Sequence, residues 1–145
     1  MRTKQLKKPL RSHRDTQKIF KDVYASDKLP RIPKQKTLAL IANTDPSHKP
    51  GQHWVAVFFN KTTVYYFDSY GRSPTGTPFQ KLMTYRKRKK MFGRRIQGDG
   101  RVCGYYCLYF ILTMLHQCTF ACFGDNLNAN DRYVLQFVKK HFSIL

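Results

Sequence analysis

Val102-Cys103-Gly104-Tyr105-Tyr106-Cys107-Leu108-Tyr109-Phe110-Ile111-Leu112 is a continuous apolar run that opens on a thiol. It follows the flexible segment Gln97-Gly98-Asp99-Gly100-Arg101 and has the length of a helix rather than of a strand. Apolar on every side, such a helix belongs at the centre of a core. A cysteine in its first turn sits at the positive end of the helix dipole, which favours the thiolate that a nucleophile needs. Free cysteine is also a common small core residue. The stretch therefore sets a central helix and offers Cys103 for chemistry without yet assigning it.

The rest of the chain is built to cover that helix. Its 145 residues suit one domain, and 41% apolar with 14% aromatic content supports a real core. No run of eighteen apolar residues occurs, so no membrane span is expected. The basic N-terminus lacks an apolar signal region, which implies an intracellular protein that is not secreted. The four cysteines (103, 107, 118 and 122) then read as thiols rather than a disulfide frame. Lys and Arg number 27 against 8 acids, for a net charge of +19, a field that attracts polyanions and above all nucleic acid. All eight acids are aspartates (15, 22, 27, 45, 68, 99, 125 and 131), so carboxylate chemistry must come from that set.

Downstream of the helix at 103–116, the pattern predicts a short helix near 118–123. A final amphipathic helix is expected to be capped by Asn130 or Asp131, with Tyr133, Val134, Phe137, Val138 and His141 facing inward. Upstream, residues 1–18 read as a mobile basic arm and 19–145 as a single domain. Residues 19–36, interrupted by Pro30 and Pro33, read as an irregular connector. Thr37 to Ala42 has the length and apolarity of a buried strand, and Asn43-Thr44-Asp45-Pro46-Ser47 breaks it. Residues 53–59 and 63–68 are rich in β-branched and aromatic types and form a hairpin. A loop at 73–78, a helix at about 79–90 and a short edge strand at 94–97 complete the reading. The fold class is α+β, a small antiparallel sheet packed on the central helix that bears Cys103.

A cysteine nucleophile needs a base, a group to orient the base, and donors for the oxyanion. Of the five histidines, His13 lies in the basic arm, His48 in a proline-flanked turn, and His116 and His141 near helix C-termini. His53 differs because it opens an apolar strand, immediately before Trp54. A two-residue turn at Asn60-Lys61 would pair Phe59 with Thr62 and set His53 opposite Asp68, with Cβ atoms roughly 5 Å apart. Asp68 could then hold one imidazole nitrogen and leave the other for the thiol. Gln97, with the Cys103 backbone N–H, is the candidate oxyanion hole, although a lone glutamine is more often a surface residue. Cys103-x₃-Cys107 and Cys118-x₃-Cys122, with His116 nearby, have a spacing that zinc could use, but helix packing explains Cys107 equally well. No metal is assigned.

Gln52-His53-Trp54, Phe67-Asp68-Ser69-Tyr70-Gly71, Ile96-Gln97-Gly98 and Cys103-Gly104-Tyr105-Tyr106-Cys107 occur in an order that resembles the adenovirus-type cysteine endopeptidases. The resemblance extends to relatives in other double-stranded DNA viruses and in Maverick/Polinton elements. Tyr24 to Pro30 and Ile41 to Pro46 resemble upstream blocks of the same relatives, so about residues 20–142 are covered. The resemblance implies a papain-like architecture with permuted order, a His53–Asp68–Cys103 triad, and Gln97 with the Cys103 N–H as oxyanion donors. It also implies a thiol endopeptidase that cleaves viral or mobile-element precursors, such as capsid or core proteins, at glycine-containing sites during virion maturation. Trp54 and the glycines 98 and 100 suit a narrow cleft for such a substrate. No cofactor is required for the chemistry. An activating viral peptide could not be disulfide-linked upstream of Cys103, because no cysteine precedes it. Deconjugating proteases of SUMO and ubiquitin-like proteins share the same residue order and give the nearest alternative.

The run from Tyr85 to Arg95 holds Arg86, Lys87, Arg88, Lys89, Lys90, Arg94 and Arg95 and no acid. Charge runs are commonly solvated faces, and this one also suits nuclear import. The adenovirus enzyme uses DNA as a cofactor, so the resemblance makes these cations a candidate DNA site. Charge alone would fit a non-catalytic nucleic-acid-binding module, but that reading leaves the ordered His, Asp, Gln and Cys unexplained. The expectation is a monomer acting in the host nucleus and the virion.

Overall fold

The computed structural model describes residues 2–48, 53–116 and 123–143. In chain order the elements are helix α1 (Thr3–Ser12), strands β1 (Phe20–Tyr24), β2 (Leu38–Asn43), β3 (Trp54–Phe59) and β4 (Thr63–Phe67), short helix α2 (Gln80–Met83), strand β5 (Arg88–Phe92), a 3₁₀ turn at Gly100–Val102, and helices α3 (Cys103–Leu115) and α4 (Leu127–Phe142). The strands form one sheet in the order β1-β2-β3-β4-β5. β2, β3 and β4 are antiparallel neighbours, while β1 runs parallel to β2 and β5 parallel to β4. The sheet is thus mixed, where the sequence suggests a purely antiparallel one.

Strand alternation sorts the core into two layers. Ala39, Ile41, Trp54, Ala56, Phe58 and Phe67 face α3, while Leu40, Val55, Val57, Phe59, Val64 and Tyr66 pack with Phe79, Leu82 and Met83 on the other side. Every residue of β2 and β3 is buried. Coverage of both faces is why these strands read as continuous apolar runs. α3 lies against β3 with Tyr106, Leu108, Phe110 and Ile111 fully enclosed. Its Phe110 ring stacks on Phe67 with centroids 4.8 Å apart. Burial on every side of the helix matches its all-round apolar sequence.

Several local expectations give way to other physics. Residues 3–12 are not a mobile arm: Leu6 and Leu10 are fully buried, and Lys7 and Arg11 reach Asp22 at 3.0 and 3.1 Å. Two apolar residues one turn apart are too brief a periodic signal to stand out among cations. Within the expected connector, β1 forms ahead of Pro30 and Pro33, so neither proline interrupts it.

The helix expected at 79–90 stops after Met83, and the basic run continues as β5. A helix would stack like charges three and four residues apart, whereas an edge strand spreads them and takes its hydrogen bonds from β4. No strand forms at 94–97; Ile96 N and Gln97 N instead donate to Ser69 O at 2.9 and 3.2 Å. The cap of α4 is Asn126, whose side chain accepts from Ala129 N at 3.1 Å, and Asn130 and Asp131 lie buried inside the helix. Val134 and Val138 face inward as expected, but Tyr133 and His141 are exposed. The helix expected at 118–123 falls, apart from Phe123, outside the described residues.

The hairpin register also differs. Phe59 pairs with Val64, and Asn60 N donates to Thr63 O at 3.0 Å, so the two-residue turn is Lys61-Thr62 rather than Asn60-Lys61. The Asn60 side chain stabilises it by accepting from Thr62 N and Thr63 N at 3.0 and 2.8 Å. The shift is two residues. An even shift leaves each side chain on its expected face, which is why the core assignment survives it.

Candidate active site

Antiparallel pairing places the start of β3 beside the end of β4. His53 directly precedes β3 and Asp68 directly follows β4, so the two meet at one end of the sheet. His53 Nε2 lies 2.6 Å from Asp68 Oδ1, with the residues 4% and 3% exposed. The observed register, carried to the strand ends, sets His53 opposite Tyr70 rather than Asp68. Tyr70 takes up that position by stacking on the imidazole, with centroids 4.5 Å apart and planes 17° off parallel. Its backbone N–H donates to Asp68 Oδ1 at 2.8 Å, fixing the carboxylate from behind. The sequence thus anticipates the His–Asp contact through a register that the hairpin does not adopt.

Cys103 opens α3, entered through the 3₁₀ turn whose cap is Asp99, with Asp99 Oδ1 accepting from Arg101 N at 2.9 Å. The thiol is buried. With His53 Nε2 held by Asp68, the other ring nitrogen, Nδ1, is buried without a hydrogen-bond partner. Cys103 lies close enough to His53 that each of the two groups shifts the other's pKa.

Burial alone would raise the Cys103 pKa, but His53 and the backbone N–H groups of Trp54 and Gly104 stabilise the thiolate and leave it lowered. Burial likewise opposes the imidazolium of His53, yet the Asp68 hydrogen bond and Cys103 outweigh it and the net shift is upward. Opposite shifts in the two partners favour a thiolate–imidazolium pair. One turn further on, Cys107 is fully enclosed and its pKa is pushed well up, first by burial and then by Cys103 and Asp68. The two thiols of one helix are thus shifted in opposite directions.

Gln97 is fully buried rather than a surface residue. Its Oε1 accepts from Ser69 Oγ, and its Nε2 donates to Asp99 O at 2.5 Å. An amide NH₂ carries two hydrogens, so one remains beyond the Asp99 contact. Gly71, at φ 75°, lets the 94–95 backbone come close: a Cβ there would lie 2.6 Å from the Arg94 carbonyl carbon. Trp54 belongs to the core layer under α3, and it also lines a pocket of about 200 Å³ with Thr3, Tyr24, Asn43 and Asp45.

The basic run divides. Arg86 is buried, and its guanidinium donates to the backbone carbonyls of Asn60, Tyr85, Pro33 and Lys36 at 2.7–3.0 Å. It ties loops together and is withdrawn from any surface role. Lys87, Arg88, Lys89 and Lys90 are exposed on and just before the edge strand. Arg94 donates to Phe123 O at 2.6 Å, and Arg95 donates to Gln97 O at 2.9 Å while lying over the Tyr70 ring.

Sequence reasoning missed Asp131 as part of this region. Its carboxylate accepts from Tyr106 OH at 2.7 Å, Gly98 N at 3.1 Å and Asp99 N at 2.8 Å. One signal was available: a tyrosine inside a wholly apolar helix needs a partner for its hydroxyl. Among the described residues no group of three His, Cys, Asp or Glu could hold a metal, and Cys118 and Cys122 lie outside them.

No protein-family model matches the chain. A protein of Acanthamoeba polyphaga mimivirus named "Putative thiol protease R355" is 38% identical over 90 residues, which span 54% of this chain and 30% of the relative. Among solved structures, the ASFV pS273R protease superposes with a TM-score of 0.53 at 25% identity, over 73% of this chain and 43% of that one. The likeness is to one viral protein named as a thiol protease and to one viral protease of known structure. It supports a protease of cysteine type on an α+β fold shared with a viral protease. The chain covers less than half the length of either protein.

Proposed function

We propose that this chain is a cysteine endopeptidase using Cys103 as nucleophile and His53 as base and acid, with Asp68 orienting the imidazole. The observation that carries the reading is the buried 2.6 Å His53–Asp68 contact, which leaves one ring nitrogen for a thiol at the head of α3. The Cys103 thiolate attacks the scissile carbonyl carbon, forming a C–S bond and an oxyanion. The Cys103 N–H and the remaining Gln97 N–H are the oxyanion donors in this reading. The oxyanion collapses, the C–N bond breaks, and the His53 imidazolium gives its proton to the departing amine. Water, deprotonated by His53, then hydrolyses the thioester and restores the thiol.

The substrates in this reading are precursor proteins of a virus or mobile element, cut at glycine-containing sites during particle maturation. The viral origin of the mimivirus relative and the motif resemblance support it. DNA is proposed as a scaffold held by Lys87, Arg88, Lys89 and Lys90, supported by the net charge of +19 and the exposure of these four side chains. Action as a monomer in the host nucleus and virion belongs to the same proposal, as does a non-disulfide activating peptide.

Cleavage-site profiling of a virus-infected-cell proteome with wild-type and Cys103→Ala protein tests it. New N-termini that appear only with the wild type are expected, following glycine. Equal cleavage by both proteins would end the cysteine assignment. Products that follow the last residue of a ubiquitin-like protein would favour deconjugation over precursor processing.

A further inference from the structure

The segment that carries Gln97 is clamped on two sides. On one side stands Ser69, 1% exposed and next in sequence to Asp68. Its carbonyl accepts from Ile96 N and Gln97 N at 2.9 and 3.2 Å, and its hydroxyl donates to Gln97 Oε1. On the other side, α4 supplies Asp131, which accepts from the N–H groups of Gly98 and Asp99, and Asn130, whose Nδ2 donates to Ile96 O at 3.0 Å. Tyr106 OH, from α3, donates its one hydrogen to Asp131 Oδ1 at 2.7 Å and lies 3.0 Å from Ile96 O.

These contacts decide which way the Gln97 amide faces. The Asp99 carbonyl can only accept, so the amide atom beside it must be the NH₂. The Ser69 hydroxyl must then donate to the opposite atom, the oxygen. Reversing the amide would set two acceptors against each other at Asp99 in a dry site. The Asp99 carbonyl therefore sets the sense of the amide, Ser69 anchors its oxygen, and Asp131 sets the position of the loop.

We propose that Ser69 and Asp131 are positioning residues that hold the Gln97 NH₂ in the orientation an oxyanion donor requires. The proposal rests on the cysteine-protease reading above. Because Ser69 adjoins Asp68, it also joins the group that orients the base to the group that receives the oxyanion.

The test uses two reagents on the full chain. Iodoacetamide alkylates the thiolate and needs the Cys103–His53 pair but no oxyanion donor. N-Acetylglycine p-nitrophenyl ester acylates the thiol through a tetrahedral oxyanion and releases p-nitrophenolate. Loss of one oxyanion donor costs about 10²–10³-fold in rate, so a loosened donor in Ser69→Ala should slow acylation about 10- to 100-fold. Alkylation rate and its pH profile should match the wild type. Ser69→Thr, which keeps the hydroxyl, should recover acylation. The Ser69→Ala/Gln97→Ala double variant should be no slower than Gln97→Ala alone, because Ser69 acts through Gln97.

Wild-type acylation in Ser69→Ala, multiplying losses in the double variant, or a parallel fall in alkylation would each overturn the proposal. Should Ser69→Ala not fold, Asp131→Asn carries the same comparison against Gln97→Ala. A wild-type protein that reacts with neither reagent at Cys103 would instead defeat the cysteine-protease reading itself.

Discussion

Asparagine at position 68 removes the charge behind His53 while keeping an acceptor oxygen where Oδ1 now stands. In the structure that oxygen lies 2.6 Å from His53 Nε2, with both residues buried. A hydrogen bond to a charged group contributes about 1.5–3 kcal/mol and a neutral one about 0.5–1.5 kcal/mol. The change therefore removes on the order of 1–1.5 kcal/mol of preference for the imidazolium. Losing that preference lowers the His53 pKa. Burial keeps solvent screening small, so little discount applies. The direction follows from the wild-type shift, in which Asp68 and Cys103 raise the imidazole against its burial. The reactive form needs His53 protonated, so activity persists up to the imidazolium pKa and is lost above it. In Asp68→Asn the alkaline limb of kcat/KM against pH should move to lower pH. The acid limb, set by thiol ionisation, should move up as the thiolate's partner weakens. The limbs belong to the coupled pair rather than to either residue. A steady-state profile from weakly acid to strongly alkaline buffer measures both. An alkaline limb that stays in place or moves upward would refute the argument.

A thiol-directed probe at neutral pH should label Cys103 and spare Cys107 as long as the protein is folded, because burial raises both thiols but only Cys103 has His53 and backbone N–H groups that bring it down; peptide mapping reads this, and equal labelling would contradict it. Neutralising Lys87, Arg88, Lys89 and Lys90 together should flatten the salt dependence of DNA affinity by about 3–4 units of log–log slope, and an unchanged slope would remove the strand from the DNA proposal. Arg86→Met should leave that slope alone but cost on the order of 2–4 kcal/mol of stability in urea unfolding, since four carbonyls lose their donor. In a cleaved peptide, alanine in place of the glycine before the cut should lower kcat/KM sharply; indifference would mean a wider cleft than proposed.

What the sequence makes legible here depends on how strong each local signal is. α3 and β2 are readable because all-round burial leaves an unbroken apolar run. The hairpin is readable for its β-branched and aromatic content, and a two-residue slip in register does not change its faces. His53 and Asp68 are found because they flank the two strands, a position that a small register error does not alter. Other features depend on contacts remote in sequence. Arg86 looks like its basic neighbours until the chain folds its guanidinium onto loops 50 and 53 residues away. Asp131 looks like a helix cap until Gly98 and Asp99, 33 and 32 residues earlier, meet it. α1 hides because a cationic surface outweighs its two anchors, Leu6 and Leu10, in any compositional reading.

The placing of the strands has a consequence for how the molecule opens. β3 is the middle strand, bonded on both sides and wholly buried, and His53 adjoins its first residue. Amides in such a strand exchange with solvent only when the whole domain comes apart. β5 is bonded to β4 alone, and four of its five residues are exposed, so its outer hydrogens exchange through local fraying. His53 thus sits on the slowest-opening element, and the cationic strand is a margin free to loosen, bend or be reshaped by whatever lies against it. Rearrangements at that margin can come and go many times within the life of one folded molecule while the imidazole keeps its place.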